Sequence, residues 1–312
     1  MGMPVAPGHP DYTAAGTNDF IPEVWSGKMQ VKFYDFTCIT QITNTDWEGE
    51  IKKMGDTVNI RTIPSITIND YVVGQKLNYE RPQSPSLILN IDKGKYWGIE
   101  LNDVIKVQSD LPLLDKWTDD AVMQLKIKLE TGFFADPAVY AGCHAGNRGA
   151  TAGAKSASYN MGVAGAPIQI TKVNALDMIV DCGSVLDEQT APEDGRWMVI
   201  PTWMAGLIKK SDLKDASLTG DGKSILRNGR IGMIDRFTLY ASNLLFSAVD
   251  GQLGTCYYSL FGHRAGLSFA SQITETEKLR NPYDFGDIVR GLKVYGYKAT
   301  KPEAYGVMYC KK

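Results

Sequence analysis

The sequence predicts an α+β protein with mostly antiparallel sheet, carrying an N-terminal arm, an extended hairpin and one long helix. Three observations support that class. Apolar residues recur at steps of three and four over a single long stretch, 110–136. Alternation with period two dominates other stretches, at 57–63, 87–92, 232–242 and 288–299. Prolines and glycines crowd the first part of the chain before either pattern begins.

The helix organises the rest. Asp110 can cap its start, and Pro112 falls in the first turn, where a missing N–H costs nothing. Leu114, Trp117, Ala121, Leu125 and Leu129 share one face, while Lys126, Lys128 and Glu130 point elsewhere and Gly132 offers a stop. About 21 residues at ~1.5 Å each make a rod of roughly 30 Å. Taken alone, it is an amphipathic core helix.

Before it, 1–45 reads as an arm. Its apolar residues (Phe20, Ile21, Val24, Trp25, Met29, Phe33) are too few to close a core, so the arm takes its order from neighbouring structure or packs back on its own domain. No removed N-terminal pro-segment is expected. From 46 to 100 the period is two. Pro64, Pro82 and Pro85 bracket a long polar span between two strands, and Tyr96 to Leu101 adds a further strand. A lone hairpin is marginal in water, so this excursion is expected to reach across to another subunit.

After the helix, 142–165 is rich in Gly, Ala and Ser and reads as a mobile surface loop. Helical spacing returns over 171–189 through Val173, Leu176, Ile179, Val180, Val185 and Leu186, with Thr171 as cap. Arg196 to Pro201 is a short buried strand, 203–210 one or two helical turns, and 211–228 a polar segment. Strands follow at 232–242, 253–263, 288–299 and 303–309, the last two joined across Lys301-Pro302. No sequence repeat is apparent.

The totals exclude several classes. With 33 basic against 35 acidic side chains in 312 residues, the chain lacks the basic excess of a dedicated nucleic-acid binder. No apolar run is long enough for a membrane span, and the N-terminus has neither a secretory signal nor, with Ala6 where Ser or Thr is required, a myristoylation motif. Cys38, Cys143, Cys182, Cys256 and Cys310 are scattered, without a Cys-x-x-Cys pair, which fits a reducing compartment and neither a zinc site nor a disulfide framework.

A search for chemistry nominates no catalytic, cofactor-binding or metal residue. Gly222-Lys223-Ser224 ends like a phosphate loop, but Ser217 stands where the upstream glycine belongs. Cys143-His144 are adjacent and cannot easily converge on one ion. Asp119-Asp120 and the pair Glu48 and Glu50 read as solvated surface carboxylates. Lys209, Lys210, Lys214, Lys223, Arg227 and Arg230 would line a subunit-facing or nucleic-acid-facing surface, with Asp212, Asp215 and Asp221 weakening the latter.

Three segments carry a family resemblance. Asn174-Ala175-Leu176-Asp177 followed by Glu193-Asp194-Gly195-Arg196-Trp197-Met198-Val199-Ile200-Pro201 is one; 229–244, beginning Gly229-Arg230-Ile231-Gly232-Met233-Ile234, is the second; Arg290 to Lys298 with Lys301-Pro302-Glu303-Ala304 is the third. In that order they resemble the major capsid proteins of tailed bacteriophages, the HK97-like fold. The departure is at Asp235-Arg236, where the family commonly has glycine. The resemblance implies an N-terminal arm (1–45), an E-loop hairpin (46–100), a peripheral domain with the spine helix (101–170), an axial domain (171–265) and closing strands of the peripheral domain (266–312).

It further implies a structural protein without catalytic residues or cofactors. Such a protein self-assembles through hexamers and pentamers into an icosahedral shell enclosing double-stranded DNA, held by non-specific contact. The virion is its location, after assembly in the host cytoplasm. A separate scaffolding protein is implied, because this chain lacks the long N-terminal extension that serves some relatives as built-in scaffold; a portal and possible decoration proteins are the other implied partners. The alternatives are an encapsulin-like compartment shell with the same fold, or, from a different class, a soluble α+β enzyme or binding module.

Overall fold

The computed structural model describes residues 32, 34–46, 57–64, 66–103, 113–211 and 232–312. Two larger sheets and one small hairpin sheet carry the fold. The larger has seven strands in the order β4-β12-β9-β5-β7-β6, with β8 also paired to β9. Its members are β4 (Ile168–Gln169), β5 (Arg196–Pro201), β6 (Met233–Ile234), β7 (Phe237–Ser242), β8 (Ser247–Val249), β9 (Thr255–His263) and β12 (Tyr305–Lys311). Parallel pairing occurs between β5 and β7 and between β4 and β12, and the remaining pairs are antiparallel.

Alternation explains why this sheet is central. Every residue of β5 is buried, so both of its faces are covered. Trp197 and Val199 join one core with the helical C-terminus of α2 (Leu113–Phe134) and with α3 (Pro137–Ala141). Met198 and Ile200 join a second core with α4 (Ala175–Glu188) and α5 (Thr202–Lys209). β12 divides the same way, with Tyr305 and Val307 towards the first core and Met308 and Cys310 towards the second. Each such side chain contributes about 1.5–3 kcal/mol of burial.

The second sheet is a long antiparallel ribbon, β10 (Leu267–Arg280) with β11 (Gly286–Ala299), to which β3 (Lys93–Asn102) adds along β11. Across it lies the hairpin β1 (Thr57–Arg61) and β2 (Ser86–Asn90). Val58, Ile60 and Leu89 of the hairpin, with Ile91, bury against Ala270 and Val294 in a small third core. The approach is close enough that a Cβ at Gly296 would collide with the Asn90 carbonyl oxygen.

Several expectations need correction. The helix does not stop at Gly132 but runs to Phe134. Its end is set two residues on, where Asp136 accepts from Ala138 N at 2.9 Å and caps α3 behind Pro137. Asp110 and Pro112 lie outside the described residues. Trp117, Ala121 and Leu125 are only half-buried, whereas Leu129, Phe133 and Phe134 are fully buried. Glu130, expected to face away, is buried as well.

Segment 142–165 does run over the surface, but it is tied to the core at several points. Asn147 Nδ2 donates to the carbonyls of Glu303 (2.8 Å) and Tyr305 (2.9 Å), and Tyr309 N donates to Met161 O at 2.7 Å. Ala152 and Met161 are completely buried, so small residues here allow close packing instead of freedom.

α4 begins at Ala175, not at Thr171. Thr171 lies in the preceding turn, where its N–H donates to Asn174 Oδ1 at 2.6 Å. Val173 and Val180 face outward, while Ile179, Cys182, Val185 and Leu186 form the buried stripe. The closing region 266–312 divides between the two sheets, because β12 is apolar on both faces and only an inner position covers both.

Candidate assembly surfaces

β1 and β2 pair from Thr57 with Asn90 to Arg61 with Ser86, and the ladder goes no further. Between them 62–85 forms a protruding loop. Its ends are tied by Thr62 N donating to Pro85 O at 3.2 Å and by Ser84 Oγ donating to Thr62 O. Its far end is a turn in which Gln75 N donates to Val72 O at 3.0 Å, with Gly74 at φ +89° supplying the left-handed residue such a turn requires. Fully extended, each limb of about 12 residues spans at most ~40 Å.

The loop is apolar where it should be polar. Ile63 is 95% exposed, Val73 89% and Tyr79 87%, with Ile66, Ile68, Tyr71, Val72 and Leu77 also open to solvent. Scattered exposed apolar residues need no explanation, but a cluster of this size on one projection marks an interaction surface.

A second projection is the turn joining β10 and β11, where Tyr283 is 97% exposed and Phe285 78%. This tip is held from behind. Arg280 pairs with Asp103 and Asp287, Lys278 Nζ lies 3.2 Å from Asp287 Oδ2, and Asn102 Nδ2 donates to Asp284 Oδ2 at 2.9 Å. The aromatic rings are therefore presented on a pinned turn. β10 is also an edge strand. Asn44 pairs with its beginning, through Asn44 N to Leu267 O (2.8 Å) and Phe269 N to Asn44 O (2.9 Å), and among the described residues no strand pairs along the rest. Long free edges are templates for another chain.

The root of the hairpin is fastened by a polar knot. Lys93 Nζ lies 2.7 Å from Asp136 Oδ2 and 2.6 Å from Tyr297 OH, which itself donates to Asp136 at 2.6 Å. Burial works against the Asp136 carboxylate, but the hydrogen bonds from Lys93 and Tyr297 outweigh it and hold its pKa below the usual range. Burial, reinforced by Asp136, pushes the Tyr297 phenol up. Lys298 Nζ donates to Ile88 O at 2.9 Å and ties β2 to the ribbon.

The root of the arm is fastened differently. Tyr34 OH and Lys32 Nζ both donate to Asp120 Oδ1 at 2.8 Å on α2, holding that carboxylate below its ordinary pKa. Beyond them Cys38, Ile39 and Ile42 enter the first core, around the single turn α1 (Ile39–Ile42). Buried Glu130 accepts at one oxygen, Oε2, from Cys38 N (2.7 Å) and Ile39 N (3.0 Å). Of the two expectations for the arm, packing on its own domain holds for 34–46; 1–31 lie outside the described residues.

The two-residue turn between β6 and β7 is Asp235-Arg236, with φ +44° and +66°. Two consecutive left-handed residues are what a two-residue hairpin of this hand demands, here borne by non-glycines. Arg236 pairs with Asp187 (2.9 Å) and Glu193 (3.2 Å). Asp187 also takes the fully buried Arg196 at 2.6 Å, whose remaining N–H groups donate to the carbonyls of Gly183, Ala191 and Pro192.

The chemistry searched for on sequence is not assembled. Cys143 is buried, and the His144 ring accepts from Gly146 N at 3.1 Å, closing a local turn. Asp119 is exposed and Asp120 serves the arm. Glu48, Glu50, Gly222-Lys223-Ser224 and the basic residues Lys214, Lys223, Arg227 and Arg230 lie outside the described residues. Among the described residues no group of three metal-capable side chains occurs, and no helix is long and apolar enough to cross a membrane. Sequence reasoning missed Tyr283 and Phe285 because β10 was not recognised as a strand, although Leu267, Phe269 and Ser271 alternate with Ser268 and Ala270.

In chain order the described residues thus comprise an arm root, a projecting hairpin, a long helix, a central sheet, a long ribbon and a last strand that returns to the central sheet. No family model and no curated protein sequence matches the chain. Solved structures do. That of Mycobacterium phage Che8 is 25% identical, with a TM-score of 0.73 over 93% of this chain and 97% of that one. The capsid of Cyanophage P-SCSP1u is 14% identical, with a TM-score of 0.67 over 98% and 97%. The mature capsid of bacteriophage PhiM1 is 14% identical, with a TM-score of 0.64 over 97% and 97%. The chain has the HK97-like fold of tailed-phage major capsid proteins.

Proposed function

We propose that this chain is the major capsid protein of a tailed bacteriophage, assembling through hexamers and pentamers into an icosahedral head around double-stranded DNA. The observation that carries the proposal is loop 62–85, whose large apolar side chains are open to solvent in the single subunit. A free protein gains nothing from such a projection; a subunit surrounded by copies buries it, and many modest interfaces add up through multivalency. The domain division at 45, 100, 170 and 265 is part of this reading, with β12 shared into the axial sheet.

The role is structural, with no catalytic residue assigned. A separate scaffolding protein, a portal and decoration proteins are proposed as partners, and the host cytoplasm as the place of assembly. Near-balanced charge, 33 basic against 35 acidic, suits a wall that encloses DNA without gripping it. A compartment shell or a soluble enzyme is not favoured by the likeness to phage capsids.

Light scattering and negative-stain microscopy on the purified full-length protein test the reading. Hexamers, sheets or hollow shells of uniform diameter are expected. Replacing 66–82 by a short glycine linker should leave a folded subunit that no longer closes shells. A wild-type protein that stays monomeric or dimeric across salt and concentration would refute the function. Normal shells from the loop deletion would refute the loop's role.

A further inference from the structure

Below the central sheet, 145–164 and the strands β9 and β12 enclose an open cleft of about 330 Å³. Its floor is aromatic. Tyr258 lies with its ring centroid 4.7 Å from Tyr140 and 4.6 Å from Tyr309. Val163 and Val307 add apolar lining, and Arg148 lines the cleft as well. The cleft wall is braced by Asp250 Oδ2, which accepts from Gly165 N at 2.5 Å and from Tyr309 OH at 3.2 Å. Arg148 is exposed, bonds only to the Tyr140 carbonyl at 3.2 Å, and makes no ion pair among the described residues. The site therefore asks for an aromatic or aliphatic side chain with a carboxylate beside it.

The far end of loop 62–85 has that chemistry. Asp70 and Tyr71 are neighbours close to the Val73-Gly74 turn, both are exposed, and Asp70 makes no ion pair among the described residues. The other exposed Tyr-acid neighbours of the loop, Tyr79 and Glu80, are less available, because Glu80 accepts from Thr67 N at 3.3 Å. No residue of 66–82 lines the cleft within one chain, so an occupant from the loop comes from elsewhere.

We propose that the cleft receives the loop end of a second copy, with Tyr71 seated on Tyr258 and Tyr309 and Asp70 paired with Arg148. This rests on the shell-subunit reading and names the receptor for its projecting loop. Aromatic burial anchors the contact, and the ion pair sets its register and excludes other docking modes.

Charge exchange tests it in the full-length protein. Arg148→Glu alone and Asp70→Arg alone should each raise the concentration needed for hexamers or shells about tenfold or more. The double variant, with the pair reversed, should recover most of that loss. Circular dichroism and thermal melting of the unassembled variants should match wild type, since both side chains are exposed. Wild-type assembly by Arg148→Glu, while deletion of 66–82 still abolishes shells, would overturn this contact and leave the loop's role standing. An Arg148→Glu defect that Asp70→Arg does not relieve would assign the cleft another occupant and overturn it equally. Normal shells after loop deletion would remove both.

Discussion

Replacing Glu130 by alanine withdraws the one oxygen that accepts from both Cys38 N and Ile39 N, in a place no water reaches. Each N–H left unsatisfied there costs about 1–3 kcal/mol, so Glu130→Ala should destabilise the subunit by about 2–6 kcal/mol. Glutamine is a sharper probe. With its carbonyl placed where Oε2 now sits, it keeps both hydrogen bonds, and its amide replaces the oxygen facing Cys38 Sγ at 3.5 Å. It also removes a buried charge that no cation offsets among the described residues. Burial raises the Glu130 pKa against the lowering effect of its hydrogen bonds. A carboxyl with a raised folded pKa takes up its proton more readily in the fold. Its contribution is therefore full below the unfolded value near ~4.3 and is lost as pH rises through the folded value.

Urea denaturation of the unassembled protein between about pH 4 and 8 reads this directly. The stability of Glu130→Gln relative to wild type should increase with pH, and at neutral pH the glutamine variant should equal or exceed wild type. Glu130→Ala should be the least stable throughout. An alanine variant as stable as wild type, or a glutamine difference that does not change with pH, would refute the account of the arm's anchorage.

Gly296→Val should destabilise the fold by about 1–3 kcal/mol and lift β2 from the ribbon, because its Cβ has no room beside the Asn90 carbonyl; protease cleavage within 62–85 and thermal melting check this. All five thiols are buried, and burial pushes Cys143 up to about 11 and Cys310 up to about 12. At pH 8 both buried groups therefore stay in the unreactive thiol form. A disulfide reagent should thus leave the native subunit unlabelled until urea unfolds it, and rapid native labelling would contradict the burial.

How far the sequence spoke depends on where each signal came from. Arg196 to Pro201, 203–210 and 288–299 were legible because local pattern and final packing coincide. A continuous apolar run became an inner strand, and strict alternation became a ribbon. Glu130 was misplaced because charge was weighed above position. It lies one residue past Leu129 on the stripe that the helix end buries, and its acceptor role depends on Cys38, far away in sequence. Val173 and Val180 were counted on the stripe by their helical spacing, whereas Ile179, Cys182 and Leu186 took the buried face. Segment 142–165 looked loose because glycine and alanine are compatible with both freedom and tight packing, and only the long-range partner, Asn147 to Tyr305, decides between them. The assembly surfaces were partly visible. The length of the hairpin could be read from its prolines, but the apolar density of 63–79 gains meaning only once those side chains are found without cover.

The place of β12 has a consequence for how the subunit is made. Tyr305 to Lys311 supplies an inner strand between β4 and β9, with side chains in both main cores. During synthesis the sheet therefore waits for a strand made after all its other members, and contacts this distant in sequence close slowly. A chain cut short before 305 would lack one layer of each core and expose β9 along its length. A fragment ending before 305 should thus fail to fold, whatever strands precede it.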